Sequence, residues 1–245
     1  MIKILKIEFK TLFCKFWTWA IIVLIAAMAL ENALTCKIYE QVPFENFSIL
    51  MIPIFISVWP GFYISNDYTQ NTIRNKIIVG NTRLNIYFSK LITVTLFFLI
   101  CIATYVLSAF ISNIIINNAT INSTSAIIYL TIVFFETIAI SSITTFIAIS
   151  IKREVGGLVP LLFMFGTLIL LFSLYEIVKP ETMKFINQII PLGTLLSLED
   201  LDLTAKIVIN SKIITDVIVT ICYSIAITIS TTLIGCISFK KADLK

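Results

Sequence analysis

DYTQNTIRNKIIVGNTRLNIYFSK, residues 67–90, is a polar interruption between two long apolar runs. Its 24 residues carry four basic side chains, Arg74, Lys76, Arg83 and Lys90, against one acid, Asp67. The spacing within it predicts a short helix over 72–79, with Ile73 and Ile77 on one side. Gly80 is placed to stop that helix in the left-handed cap conformation. Asn81 or Thr82 can then cap a new helix running through Arg83 and Tyr87 into the next apolar run. Arg74, Lys76 and Arg83 are expected to point at water or at a partner. A plain hairpin between membrane helices needs only a few residues, so the insert is longer than a connection requires. The competing reading is an ordinary basic loop that only fixes orientation.

The flanks decide the class. Of the 245 residues, 58% are hydrophobic and 13% charged, and the mean hydropathy is +1.00. A soluble domain carries about 25% charged residues, so this chain has too little polar surface to face water throughout. Apolar runs of the length needed to cross a bilayer lie at 16–35, 47–66, 91–115, 126–151, 155–175 and 217–239. In hydrocarbon the backbone must satisfy its own hydrogen bonds, so six such runs predict a single all-α membrane domain over 1–245. Ala26-Ala27-Met28-Ala29 resembles a cleavage site, but fifteen residues precede the first run, which is long for a signal n-region. Leu34-Thr35-Cys36 is a poor lipobox. An uncleaved first helix is expected.

Lys/Arg asymmetry sets the orientation. With both termini in the cytoplasm, segments 1–15, 67–90, 152–154 and 240–245 hold 13 basic and 4 acidic residues, and the outer segments 5 basic and 9 acidic. The opposite orientation would place the basic excess outside.

Histidine is absent. That removes the commonest general base and metal ligand, and with them serine–histidine hydrolases, rhomboid-type proteases, zincins and haem carriers. Cys14, Cys36, Cys101, Cys222 and Cys236 form no CxxC pair, so neither a disulfide framework nor a metal site is expected. No enzyme activity is expected, and no nucleic acid as partner.

Four further segments carry expectations. The N-terminal MIKILKIEFKTLF is amphipathic, with Ile2, Leu5, Phe9 and Leu12 on one face and Lys3, Lys6 and Lys10 on another; it reads as an interfacial helix, either an orienting anchor or a mechanical part. Lys152, Arg153 and Glu154 form the second cytosolic connection, followed by Gly156 and Gly157. Glu136 is the one ionisable residue deep in a span, where a charge costs about 2.5–3.5 kcal/mol on insertion scales. With Thr144 near its face, it marks either a translocation path or a carboxyl bonded to a neighbouring helix. Pro53 and Pro60 are placed to kink the second span. Beyond the fifth span, residues 182–190 and 194–198 are expected as short outer helices, re-entrant or surface-lying, broken by Pro191-Leu192-Gly193 and followed by Glu199, Asp200 and Asp202.

In this order of segments the chain resembles the permease subunits of type-2 ABC exporters over nearly its whole length. Members of that family often show, after span two, an acidic residue, Gly-Thr-Ile-Arg, Gly/Pro-x-Ser/Thr-Arg, an aromatic and a lysine. Here these read Asp67, Asn71-Thr72-Ile73-Arg74, Gly80-Asn81-Thr82-Arg83, Tyr87 and Lys90, with Asn71 in place of the usual glycine. The resemblance implies a coupling helix that contacts a separate P-loop ATPase subunit through Asp67, Thr72, Ile73, Arg74, Lys76, Ile77, Gly80 and Arg83, with Lys152, Arg153 and Glu154 as a second contact. The chain carries no G-x-x-x-x-G-K-[ST] loop, so ATP and Mg are expected on the partner and no cofactor on this chain. A second permease copy or paralogue and membrane lipid complete the expected assembly. Short permeases of this branch resemble exporters of amphipathic cytolytic peptides of the phenol-soluble-modulin type and lantibiotic-immunity pumps, and the Ile/Asn/Lys-rich composition resembles that of low-GC Gram-positive bacteria. A permease for a small hydrophobic drug, or an ATP-independent carrier using Glu136, remain the alternatives.

Overall fold

The computed structural model describes residues 2–39, 48–118, 122–151, 154–198 and 211–241. Every element among them is helical: α1 Ile2–Phe13, α2 Phe16–Ile38, α3 Ser48–Thr69, α4 Thr72–Ile78, α5 Arg83–Asn117, α6 Ser123–Ser150, a 3-10 turn Glu154–Gly157, α7 Val159–Ile177, α8 Pro180–Ile189, α9 Pro191–Ser197 and α10 Ser211–Lys241.

Among the described residues five helices are long and apolar enough to cross a membrane: Phe16–Ile38, Arg83–Asn117, Ser123–Ser150, Val159–Ile177 and Ile213–Lys241. The chain is therefore a multi-pass membrane protein of the all-α class. The expected second span corresponds to α3, a continuous helix of 22 residues that runs through both Pro53 and Pro60. Its apolar stretch gives way to Asn66 and Asp67 before the helix ends at Thr69.

α6 is the central helix. It packs against α10, α5 and α3, and it buries a row of small polar residues, Thr137, Ser141, Ser142, Thr144 and Thr145. Small hydroxyl residues let backbones approach and bond across helices in lipid. Ser142 bonds Thr231 of α10 at 2.8 Å, and Thr95 of α5 bonds Ser141 at 2.9 Å. Most of these hydroxyls also bond the carbonyl three or four residues back, which keeps them satisfied without water. By contrast α7 and α10 expose rows of Leu, Ile and Phe, the surface expected against acyl chains.

Helix α5 has 35 residues, about 52 Å at 1.5 Å per residue. That exceeds the ~30 Å hydrocarbon core, so one end stands outside it. The helix starts at Arg83, eight residues before the apolar run, as the capping residues predicted: the Thr82 hydroxyl accepts from the Asn85 N–H.

Two expectations need correction. Pro191-Leu192-Gly193 does not break the outer helices but opens α9, with Pro191 in the first turn, where its missing N–H is not needed; the break falls at the extended Ile190. In α1 the buried stripe is Ile4, Glu8 and Leu12, while Phe9 is exposed. The i, i+4 row through Glu8 wins because Glu8 has buried cationic partners, described next. Glu199, Asp200 and Asp202 lie outside the described residues.

Candidate functional site

The site forms where α3 ends, α4 hangs and α5 begins. Asn71 adopts a left-handed conformation, φ 55°, which Asn tolerates better than most residues, and the chain turns sharply out of α3 there. The Thr72 hydroxyl donates to the Asp67 carbonyl at 3.0 Å. At the far end Gly80 has φ +96°. The Gly80 N–H donates to the Ile77 carbonyl and the Asn81 N–H to the Lys76 carbonyl, the paired bonds of a Schellman stop. The Asn81 side chain adds a third bond to the Lys76 carbonyl at 2.9 Å. α4 is thus a seven-residue helix fixed at both ends by tight turns. Ile73 is buried and Ile77 partly so, as the spacing predicted.

Beneath α4 four charged side chains from four helices meet. Lys76 of α4 lies 2.6 Å from Glu8 of α1 and 2.9 Å from Asp67 of α3. Lys90 of α5 lies 2.8 Å from the other Glu8 oxygen and pairs with Asp67 as well. Each carboxylate is therefore bridged by both lysines. The side chains of Glu8 and Lys90 are each only 1% exposed. Tyr63 of α3 covers the cluster: its hydroxyl donates to the Glu8 carboxylate, and the Lys90 ammonium sits 3.8 Å from its ring centroid, a cation–π distance. Burial pulls the Glu8 carboxyl up, but Lys90 and Lys76 outweigh it and hold the group below its ordinary 4.5. Burial likewise works against the Lys76 ammonium, and the Asp67 and Glu8 carboxylates more than restore it, raising it above its ordinary 10.5. Buried charges survive only when paired in this way.

This arrangement moves the sequence-derived assignments. Lys76 does not face water; it turns inward because two buried carboxylates lie under α4. Arg83 also turns away from the outer surface, donating to the Lys240 carbonyl at 2.8 Å, where a cation suits the C-terminal end of α10. Asp67 is buried in the cluster and Thr72 is half-buried, spent on the α3 end. Arg74 stays exposed and makes no ion pair among the described residues. Two residues the sequence had not singled out join it on the outside: Ile78 is 72% and Val79 80% exposed. An Ile-Val pair beside a glycine reads as core in a sequence; only the helix register turns it outward. Glu8 was also missed, as a lone acid among lysines gives no signal until Lys90 is placed beside it.

Lys152 and Arg153 lie outside the described residues. Glu154 opens the 3-10 turn, whose Gly157 lies flat against α3: a Cβ on Gly61 would run into the Gly157 carbonyl, and one on Gly157 into the Phe62 ring. Gly157 thus makes a close backbone approach to α3.

Glu136 is 1% exposed, in the middle of α6. Ser224 of α10 donates to its Oε1 at 2.8 Å. Its Oε2 is buried with no hydrogen-bond partner among the described residues; Thr194 of α9 is adjacent, but its hydroxyl donates to the Pro191 carbonyl. Thr144 stands eight residues along α6, about 12 Å by helix rise, and its hydroxyl bonds the Ile140 carbonyl. The two do not form one site. Among the described residues no group of three or more His, Cys, Asp or Glu is arranged to hold a metal. Compared with protein-family models and with curated proteins, the sequence finds no match in either.

Proposed function

We propose that this chain is the membrane-spanning subunit of an ATP-driven exporter of the type-2 ABC permease fold, with α4 as its coupling helix. In this reading α3 is the second of six spans, both termini face the cytoplasm of a bacterial cell, and a separate P-loop subunit binds ATP and Mg. The assembly holds a second permease copy or paralogue. The cargo is an amphipathic cytolytic peptide, which already lies in the membrane and can enter from the side.

One observation carries the reading. α4 presents Arg74 and Ile78 outward, with Val79 at its C-cap, while its inner Lys76 pairs with Glu8 of α1 and Asp67 of α3, and both carboxylates pair in turn with Lys90 of α5. A push on α4 is therefore delivered to three helices as one body. A loop that only fixed orientation would need no such linkage. The order of elements supports the reading too: a short amphipathic helix first, α4 after the second long helix, the 3-10 turn after α6, and α8–α9 before the last long helix.

A photo-crosslinking amino acid replacing Ile78 tests it in the native membrane. The expected adduct is a P-loop ATPase chain. Adducts to lipid alone would sink the proposal. A second reading, an ATP-independent carrier, rests on the unpartnered Glu136 oxygen; it predicts transport that follows the proton gradient and ignores ATP depletion.

A further inference from the structure

Away from α4, the gap between α2 and α3 encloses a cavity of about 700 Å³. Its floor is Ile25, Ile52 and Ile56, all buried. Its rim is formed by residues such as Trp17, Leu24 and Phe55, each more than half exposed. The lining is wholly apolar in residue type. From Trp17 to Met28 the cavity follows α2 for eleven residues, about 16 Å of helix rise, so it is a long slot open to the side.

One end of the slot is charged. The Lys15 ammonium lies 5.6 Å from the Trp59 ring centroid and 5.9 Å from that of Tyr63. Trp59 itself lines the cavity and is anchored by its indole N–H to the Thr18 hydroxyl at 3.0 Å. Lys15 has no carboxylate partner among the described residues, unlike Lys76 and Lys90. Phe16, Trp17 and Trp19 follow it, all exposed, the kind of aromatic belt that marks a membrane–water interface. The fitting occupant is apolar along the slot and anionic at the Lys15 end. A cationic amphipathic peptide would meet Lys15 with like charge. Basic residues beside gaps between membrane helices hold anionic lipid headgroups.

We infer that the α2–α3 slot binds one acyl chain of an anionic phospholipid, whose phosphate rests on Lys15. The binding is independent of any ATPase partner.

Native mass spectrometry of the delipidated full chain, titrated with phosphatidylglycerol or phosphatidylcholine, tests this. One phosphatidylglycerol is expected to be retained in preference to phosphatidylcholine. Val58→Trp, which fills the slot, should abolish retention, and Met28→Trp is the second filler should the first fold poorly. Lys15→Ala should remove the preference between headgroups while acyl binding persists. On the unaltered chain, a phosphatidylglycerol with a diazirine in its acyl chain should crosslink to peptides of α2 and α3. Equal retention of the two lipids by the native chain overturns the inference. So does retention unchanged in the well-folded filled variants, crosslinking confined to other helices, or a lipid-free dimer that Val58→Trp dissociates.

Discussion

Glu8 is where the smallest change has the widest reach. Removing one member of a buried charge cluster strands the others, which costs about 3–5 kcal/mol. Lys90→Met is expected to destabilise by that order, read as thermal unfolding in mild detergent, because it leaves Glu8 and Asp67 sharing Lys76 alone. The double variant Glu8→Gln/Lys90→Met should lose less than the sum of the singles, since the pair acts as a unit; additive losses would contradict the cluster. The cluster also has a defined pH range. Glu8 is held below its ordinary 4.5, so its contribution is present above that value and is lost as pH falls beneath it. Lys76 is held above its ordinary 10.5, so its contribution is full below 10.5 and is lost only as pH rises through its raised value. Stability should therefore fall in acid, and Glu8→Gln should flatten that acid limb. A melting profile with the same acid limb in the variant would remove Glu8 from the account. None of this was legible in MIKILKIEFKTLF, where periodicity put Ile2, Leu5, Phe9 and Leu12 together on one apolar face. Burial chose Ile4, Glu8 and Leu12 because two lysines distant in sequence converge there.

α4 shows how far local chemistry reaches at the scale of one element. Asn71, Gly80 and Thr82 announce its turns in the sequence, and each takes the conformation or bond their chemistry dictates. What the element faces was less legible, because Lys76 and Arg83 are drawn to partners on other helices, while Ile78 and Val79 are left outside. Gly80→Ala places a Cβ at φ +96°, a strain of about 1–2 kcal/mol. It should loosen the end of α4, read as faster proteolysis between α4 and α5 in membranes. Arg74→Glu should weaken ATPase co-purification without affecting insertion or melting, as Arg74 makes no internal ion pair; unaltered co-purification would count against the outward face as the docking surface. A Gly61→Val change drives a side chain into the Gly157 carbonyl and should destabilise strongly, whereas Gly166→Val, with open space around its Cβ position, should not.

Across the whole molecule the class was the most legible level: long apolar runs with few charges became membrane-length helices, and several ends fall a few residues from the edges of those runs. α3 corresponds to the expected second span and carries both prolines within one continuous helix. The α6 seam explains why Glu136→Gln should insert and melt like the native chain. The amide oxygen still accepts from Ser224, and no cation is left behind. Severe misfolding would place a charged partner beside it. In the proposed topology a cysteine at position 182, in α8, is labelled only from outside the cell.

The central claim is that α4 receives force from another protein. Gentle-detergent affinity purification of the chain from its native membrane, with mass spectrometry of what co-elutes, addresses it most directly. A stoichiometric P-loop ATPase is expected, and it should be lost when Arg74 and Ile78 are both replaced by Glu. An intact, well-folded preparation without any ATPase would contradict it and shift the function to the buried carboxyl of Glu136.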